Sequence, residues 1–426
     1  MKVGDPIYRG DPVPLPVEVI WLIASYNHPG SSSKSLFNTA DSDSDSDSSL
    51  DSLLLLQKTL WACCLVSRPW YTASIEHLYN RPVLNNRNFD LFVRTIAPSP
   101  SSVPASVRRK PRLGLEKLIK HLDMSGLSYE SSKSLTARLI RRTKDSLESF
   151  AAPAITFSIP SLAPLSKCLH LRSLDLSTDY YDIDLPQLLD AIDHLDRLTT
   201  LKLPRNALWA DLKPQSRWPK NLRFLQVSHR LYEDEGSWAT LFDSWPETLK
   251  TLRIAECLYY SFFKCLDRCP STSAARTIRT LEIGPALHED RLPLGAIMHA
   301  FPMVKTLVLP AYVGAHKNPL YEEDGHGNVT FSIAPVSQEQ HPLENLVLRD
   351  YNHVSQPDLD DMVWILSVLI DRFPRLRRIE LPERYFSVAE DVLSFEALTN
   401  TLEQRADKAG KDSAGIFLLD ASSTLS

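Results

Sequence analysis

The side chains of this chain that could react with a substrate are scattered. Of six cysteines, Cys63 and Cys64 are adjacent, and Cys257, Cys265 and Cys269 fall on one predicted helix and its end. Cys265-x-x-x-Cys269 lacks the close paired spacing of a structural zinc site. A spacing of four puts both thiols on one helical face, where they read as core groups. His28, His121, His170, His194, His229 and His288 stand in unrelated local settings. Asp360-Asp361 and Glu322-Glu323 sit near predicted helix starts or loops and define no acid/base pair. There is no Gly-rich phosphate loop, HExxH pair or G-x-S-x-G elbow. The residues therefore predict no enzyme, no metal and no cofactor. The chemistry left is recognition, by side chains set out in a row.

That row comes from a recurring apolar-x-x-apolar-x-apolar phrase. Its copies are Leu171/Leu174/Leu176, Leu198/Leu201/Leu203, Leu222/Leu225/Val227, Leu249/Leu252/Ile254, Ile278/Leu281/Ile283, Val304/Leu307/Leu309, Leu343/Leu346/Leu348 and Leu376/Ile379/Leu381. Alternate side chains of a strand point to opposite faces, so the last two apolar residues of each phrase point inward and the residue between them points out. Those outward residues are Asp175, Lys202, Gln226, Arg253, Glu282, Val308, Val347 and Glu380, the candidate substrate-binding face. The mixture holds both charges and an apolar end, unlike the uniformly basic stripe that meets a phosphate backbone. It predicts a protein ligand. Trp209, Tyr232 and Tyr321 are further candidate contacts, since aromatics anchor interfaces.

One phrase cannot bury its own apolar edge, but a stack of neighbours can. The first five steps between phrases are 24 to 29 residues, the period of the leucine-rich class, and the last two are 39 and 33. Stretches with apolar residues every three or four positions fill the gaps: 185–195, 257–269, 294–301 and 359–373. Proline then stops each helix, after Trp218, Trp245, Cys269, Phe301, His341 and Phe373, and turns the chain back toward the strand layer. The aromatic beside it is expected to plug the seam between repeats. Earlier copies are expected at Ile119/Leu122/Met124 and, with broken spacing, between Leu147 and Phe157. The expectation is an α/β fold: a helical amino-terminal module, then a leucine-rich-repeat solenoid of eight to ten strands in a curved parallel sheet with convex-side helices. A crossover of about twenty residues permits parallel order. The long step after Leu309 reads as an inserted loop with a short hairpin around Asn328 to Ile333.

At 426 residues and 43% hydrophobic, the chain can bury a large core. A net charge of -5 argues against generic nucleic-acid binding, and no apolar run is long enough to span a bilayer. With no secretory leader at its start, the cysteines read as intracellular thiols, in the cytoplasm or the nucleus.

The amino-terminal module, residues 12–97, opens on Pro14-Leu15-Pro16-Val17-Glu18-Val19-Ile20, a helix start with proline in its first turn and Glu18 at its positive end. A second apolar stretch, 53–64, leads into Leu65-Val66-Ser67-Arg68-Pro69-Trp70 and Ile75-Glu76-His77-Leu78-Tyr79. Between them, around 31–49, the Asp-Ser repeat is too polar to order itself by burial and is expected to be a flexible acidic insertion. Leu15-Pro16-x-Glu18-Val19-Ile20-x-x-Ile23 and Leu65-Val66-Ser67-Arg68-x-Trp70, in that order, resemble an F-box of the fungal kind. The Asp-Ser insertion departs from a compact F-box. The resemblance implies that Leu15, Pro16, Val19, Ile20, Leu65, Val66 and Trp70 form a face for Skp1 and, through it, a cullin. It implies the substrate-recognition adaptor of an SCF-type ubiquitin ligase, with the repeats holding a protein substrate. The rival expectation is a repeat scaffold outside any ligase, its helices a plain cap on the first repeat.

Residues 98–112, rich in proline and serine and ending in Arg108-Arg109-Lys110, read as a linker; 113–401 read as the repeat domain and 402–426 as a tail. Arg138, Arg141, Arg142 and Lys144 extend the positive bias, solubilising an exposed face or meeting an acidic partner.

Overall fold

The computed structural model describes residues 15–26, 46–98, 114–127, 133–154, 156–178, 184–205, 212, 216–228, 241–255, 275–284, 294–310, 321–323, 329–331, 341–349, 359–382, 392–409 and 414–419. The chain opens with helices α1 (Val17–Tyr26), α2 (Ser46–Val66), α3 (Arg68–Asn80) and α4 (Phe89–Ile96). Each repeat strand then adds to one parallel sheet. In order these are β1 (His121–Asp123), β2 (Ser149–Ala151), β3 (Ser173–Asp175), β4 (Thr200–Lys202), β5 (Phe224–Ser228), β6 (Thr251–Ala255), β7 (Thr280–Ile283) and β8 (Thr306–Pro310). An antiparallel hairpin, β9 (Tyr321–Glu323) and β10 (Val329–Phe331), stands apart, and the sheet resumes with β11 (Asn345–Arg349), β12 (Arg378–Pro382) and β13 (Gly415–Leu419). Helices α5 (Lys133–Thr143), α6 (Ile159–Leu165), α7 (Leu185–Ile192), α8 (Leu294–Ala300), α9 (Leu359–Arg372) and α10 (Val392–Ala409) fall between strands. The result is an α/β fold, a parallel sheet with flanking helices, consistent with a leucine-rich-repeat-like solenoid.

The phrases become strands for the reason their spacing implies. Leu174, Leu201, Leu225, Leu252, Leu281, Leu307, Leu346 and Ile379 pair in register across the sheet and are buried in one core with Leu188, Leu189, Ile192, Leu366 and Ile370 from the helices. Their burial removes apolar surface that no single repeat could hide. Tight turns close the repeats: Leu222 donates its N–H to Pro219 O at 3.2 Å, and Leu249 to Pro246 O at 3.1 Å. Thr248 and Thr277 each donate a hydroxyl to the carbonyl of the preceding repeat, Leu222 O and Leu249 O, at 2.8 Å.

Before the repeat prolines, the described residues Trp218, Trp245, Phe301, His341 and Phe373 are buried, as the seam-plugging reading requires. Trp218 donates its indole N–H to Ser244 Oγ of the next repeat at 3.3 Å, and His341 meets Phe373 edge-on with ring centroids 5.7 Å apart. The expected hairpin between 328 and 333 is β10 with β9 as its partner.

Three boundaries differ from expectation. The sheet has eleven strands among the described residues, not eight to ten, because β13 joins β12 in parallel. The repeat domain therefore continues past 401, and the stretch read as a tail carries the second half of α10 and β13. Arg405 holds α10 to the end of α9, donating from Nη1 to Ile370 O at 2.7 Å and Phe373 O at 3.2 Å. Gly415 starts β13 with φ 121°, a left-handed conformation that side chains rarely adopt. Third, α2 begins at Ser46, inside the stretch read as an acidic loop; serine and aspartate also suit a helix start. Residues 31–45 of that stretch, the linker residues 99–112 and the predicted helix at 257–269 lie outside the described residues.

Candidate binding surfaces

The helical module places its apolar residues on two sides. The Pro16 carbonyl accepts from the N–H of Val19 and of Ile20, both at 3.1 Å, and so closes the first turn of α1. Ile20 and Ala24, four apart, face inward. The Trp21 ring lies against His77 of α3, centroids 4.9 Å apart. Helices α1 and α2 both pack on α3. Ser67 alone separates α2 from α3, and its carbonyl accepts the Tyr71 N–H at 2.8 Å to start the next helix. Gln57 holds the following loop, its Oε1 accepting the Val83 N–H at 2.5 Å and its Nε2 donating to Val83 O at 3.4 Å.

Of the residues expected to dock a partner, Leu15, Pro16, Val19, Leu65 and Val66 are exposed, Val19 at 40% and Leu65 at 65%, and Trp70 is half-buried in the first turn of α3. Ile20 is the correction: at 2% exposure it belongs to the module's own core, because the helical period turns it about 100° from Val19. Sequence reasoning missed Trp21, Leu22, Tyr26, Leu55 and Trp61, all large and exposed. Trp61 and Leu65 share a face of α2 by their spacing of four, a signal legible once the helix is known.

The eight repeat residues do form one row. Register pairs Asp175 with Lys202, Lys202 with Gln226, Gln226 with Arg253, Arg253 with Glu282, Glu282 with Val308, Val308 with Val347 and Val347 with Glu380. Asp123 and Ala151 precede them and Phe417 follows. Much of the row's charge is answered within the chain. Lys202 Nζ is 2.8 Å from Asp175 Oδ2, and Asp175 Oδ1 accepts from the Ser177 hydroxyl at 2.6 Å. Glu282 Oε1 accepts from Arg349 Nη1 at 2.9 Å, while Arg253 Nε lies 3.2 Å from the same oxygen without a hydrogen-bonding angle. Arg378 pairs with Glu380 at 2.7 Å and lies 4.0 Å from the Phe417 ring centroid. Gln226, Glu282 and Val308 are buried, deeper than a solvent-facing strand position implies. Gln226 is only 8% exposed, and its Oε1 has no hydrogen-bond partner among the described residues.

Trp209 and Tyr232 lie outside the described residues, as do His28, His229 and His288; Tyr321 is on β9, and Glu322-Glu323 are strand rather than loop residues. Asp360 and Asp361 fall in the first turn of α9. His170 and His194 are exposed, and burial holds His121 below the ordinary imidazole range, with Arg81 adding to the effect. Cys63, Cys64 and Cys168 are free thiols; burial pushes Cys168 up to about 12, which keeps it unreactive. Among the described residues, no three of His, Cys, Asp and Glu could hold a metal ion, and no helix is long and apolar enough to cross a membrane.

No family model matches the chain. It is similar to Protein pof5 of Schizosaccharomyces pombe, 28% identical over 324 residues that cover 74% of this chain and 81% of that protein. It is also similar to F-box protein YDR306C of Saccharomyces cerevisiae, 30% identical over 193 residues, 45% of this chain and 37% of that protein's length. A solved structure, that of the Rad7 and Elc1 complex in yeast, aligns over 80% of this chain and 89% of its own with 13% identity and a TM-score of 0.31.

Proposed function

We propose that the chain is the substrate-recognition adaptor of an SCF-type ubiquitin ligase. In this reading Leu15, Pro16, Val19, Leu65, Val66 and Trp70 dock on Skp1, which links the chain to a cullin, and Ile20 supports that face from beneath. The observation that carries the reading is the exposure of Leu15, Val19, Leu65 and Val66, large apolar groups left outside the module's core. Similarity to an F-box protein supports it. The row from Asp175 to Glu380 then receives a protein substrate. Because its ion pairs are made internally, specificity rests on the Gln226 side-chain carbonyl, unpartnered among the described residues, and on the apolar stretch Val308, Val347 and Phe417. No covalent step is assigned to this chain. It raises the effective concentration of substrate at a conjugating enzyme.

Co-purification with Skp1 tests the docking half. The full chain is expected to retain Skp1, and the pair Val19→Asp and Leu65→Asp to lose it with an unchanged thermal melt. Retention of Skp1 by that folded variant would remove the docking assignment.

A further inference from the structure

The geometry points to a second recognition site, outside the row just described: an anion-binding track along the edge where the strands begin, fitted to an extended acidic segment of a protein partner. It is built from the residue that immediately precedes the strand in successive repeats: Arg223, Lys250, Arg279 and Lys305 before β5, β6, β7 and β8. Backbone bonds lock these four side by side. Lys250 donates its N–H to Arg223 O at 2.9 Å, Arg279 to Lys250 O at 2.8 Å, and Lys305 to Arg279 O at 2.8 Å. Four cations therefore stand at the strand spacing of about 4.8 Å, over roughly 14 Å in all.

Their charge is largely unanswered among the described residues. There, Arg223 and Lys250 are exposed with no carboxylate in salt-bridge range, and Arg279 is tied only to neutral carbonyls, Nη1 donating to Arg276 O at 3.1 Å and Met303 O at 3.3 Å. Of the four, Lys305 alone has a described acid beside it, Glu344, at 3.3 Å. This contrasts with the row described above, where Lys202 and Arg253 both have carboxylates. Like charges in register cost stability unless something outside them compensates. The next position carries half-buried Thr251, Thr280 and Thr306 on β6, β7 and β8, and half-buried Phe224 on β5.

Along the same row the run of four ends at neutral Thr199 on one side and at Glu344 on the other; Arg172 and Arg377 stand beyond them, each paired with a glutamate. A nucleic-acid backbone or an anionic membrane is drawn to a broader positive field than this, on a chain whose net charge is -5. A short run of Asp or Glu fits it.

The test is fluorescence anisotropy of the full chain with a labelled peptide of about eight glutamates, whose extended length of roughly 27 Å covers the track. Binding is expected to weaken as salt rises, and Arg223→Glu with Lys250→Glu to weaken it about ten-fold or more. Arg141→Glu with Arg142→Glu, on α5, should leave it unchanged. Should the reversal variant fail to fold, Arg223→Gln with Lys250→Gln carries the same comparison. Undiminished affinity in the folded track variant overturns the inference. So does tighter binding of oligouridylate, or of phosphatidylserine vesicles, lost on the same substitutions. Skp1 retention is expected to be untouched in every variant, so failure here and failure of Skp1 docking register separately.

Discussion

Arg349 on β11 reaches across the intervening strand β8 to place its Nη1 2.9 Å from Oε1 of Glu282 on β7. The contact ties together repeats that share no backbone bonds, and Val308, on β8 between them, is buried. Both side chains are largely buried, at 18% and 11% exposure, so the pair is screened less than a surface one. Arg349→Ala and Glu282→Gln are each expected to cost about 1–2 kcal/mol, with a coupling of about 1 kcal/mol in a double-mutant cycle read by denaturant unfolding. Strict additivity would show that the bond contributes nothing.

Adjacent residues of α1 should respond oppositely. Ile20→Ala empties a core site and is expected to cost about 2–4 kcal/mol, while Val19→Ala changes stability by less than about 0.5 kcal/mol. Equal melting temperatures for the two variants would contradict the orientation of the helix.

Acid should weaken the fold through its buried histidines. Burial lowers His77, His121 and His341 below the ordinary imidazole value. Glu76 partly opposes this at His77, Glu148 at His121, and a backbone bond at Phe301 does so at His341. The folded state thus binds fewer protons than the unfolded one. Their contribution is intact above about pH 6.5 and is lost as pH falls through that value toward the depressed ones. A melting temperature that stays flat from about pH 7.5 to 5.5 would refute this.

The Trp218 indole and Ser244 hydroxyl give a direct test of the seam between repeats. Ser244→Ala leaves a buried N–H without its partner and should cost about 1–2 kcal/mol; Trp218→Phe in that background should cost less than in the wild type. Equilibrium unfolding of the four proteins decides it.

Deleting everything after Thr401 removes half of α10 and all of β13, and with them the Arg405 bonds to α9. It also uncovers the edge of β12, an invitation to pairing with other chains. The shortened chain is expected to melt lower and to aggregate on heating, as light scattering would show. A monodisperse product with the parent melting temperature would return 402–426 to the status of a dispensable tail.

Legibility follows repetition. Each of the eight phrases is a strand, since an alternating apolar pattern at a fixed period admits few other ways of hiding Leu174 and its counterparts. Strand β13 escapes such a reading because Gly415-Ile416-Phe417-Leu418-Leu419 lacks the phrase, and only its neighbour β12 and the turn at Gly415 define it. Ile20 misleads for a related reason: α1 is apolar nearly all round, so its inward side is chosen by α3, not by its own pattern. Nor do the individual phrases reveal that Arg223, Lys250, Arg279 and Lys305 stand abreast; that emerges only when the repeats are stacked.

Each strand of the main sheet is bonded to no more than its two flanking strands, so tension applied at the Leu419 end meets only one interface at a time. Pulled from there, the molecule should come apart like a zip fastener, in a train of small force peaks rather than one large rupture.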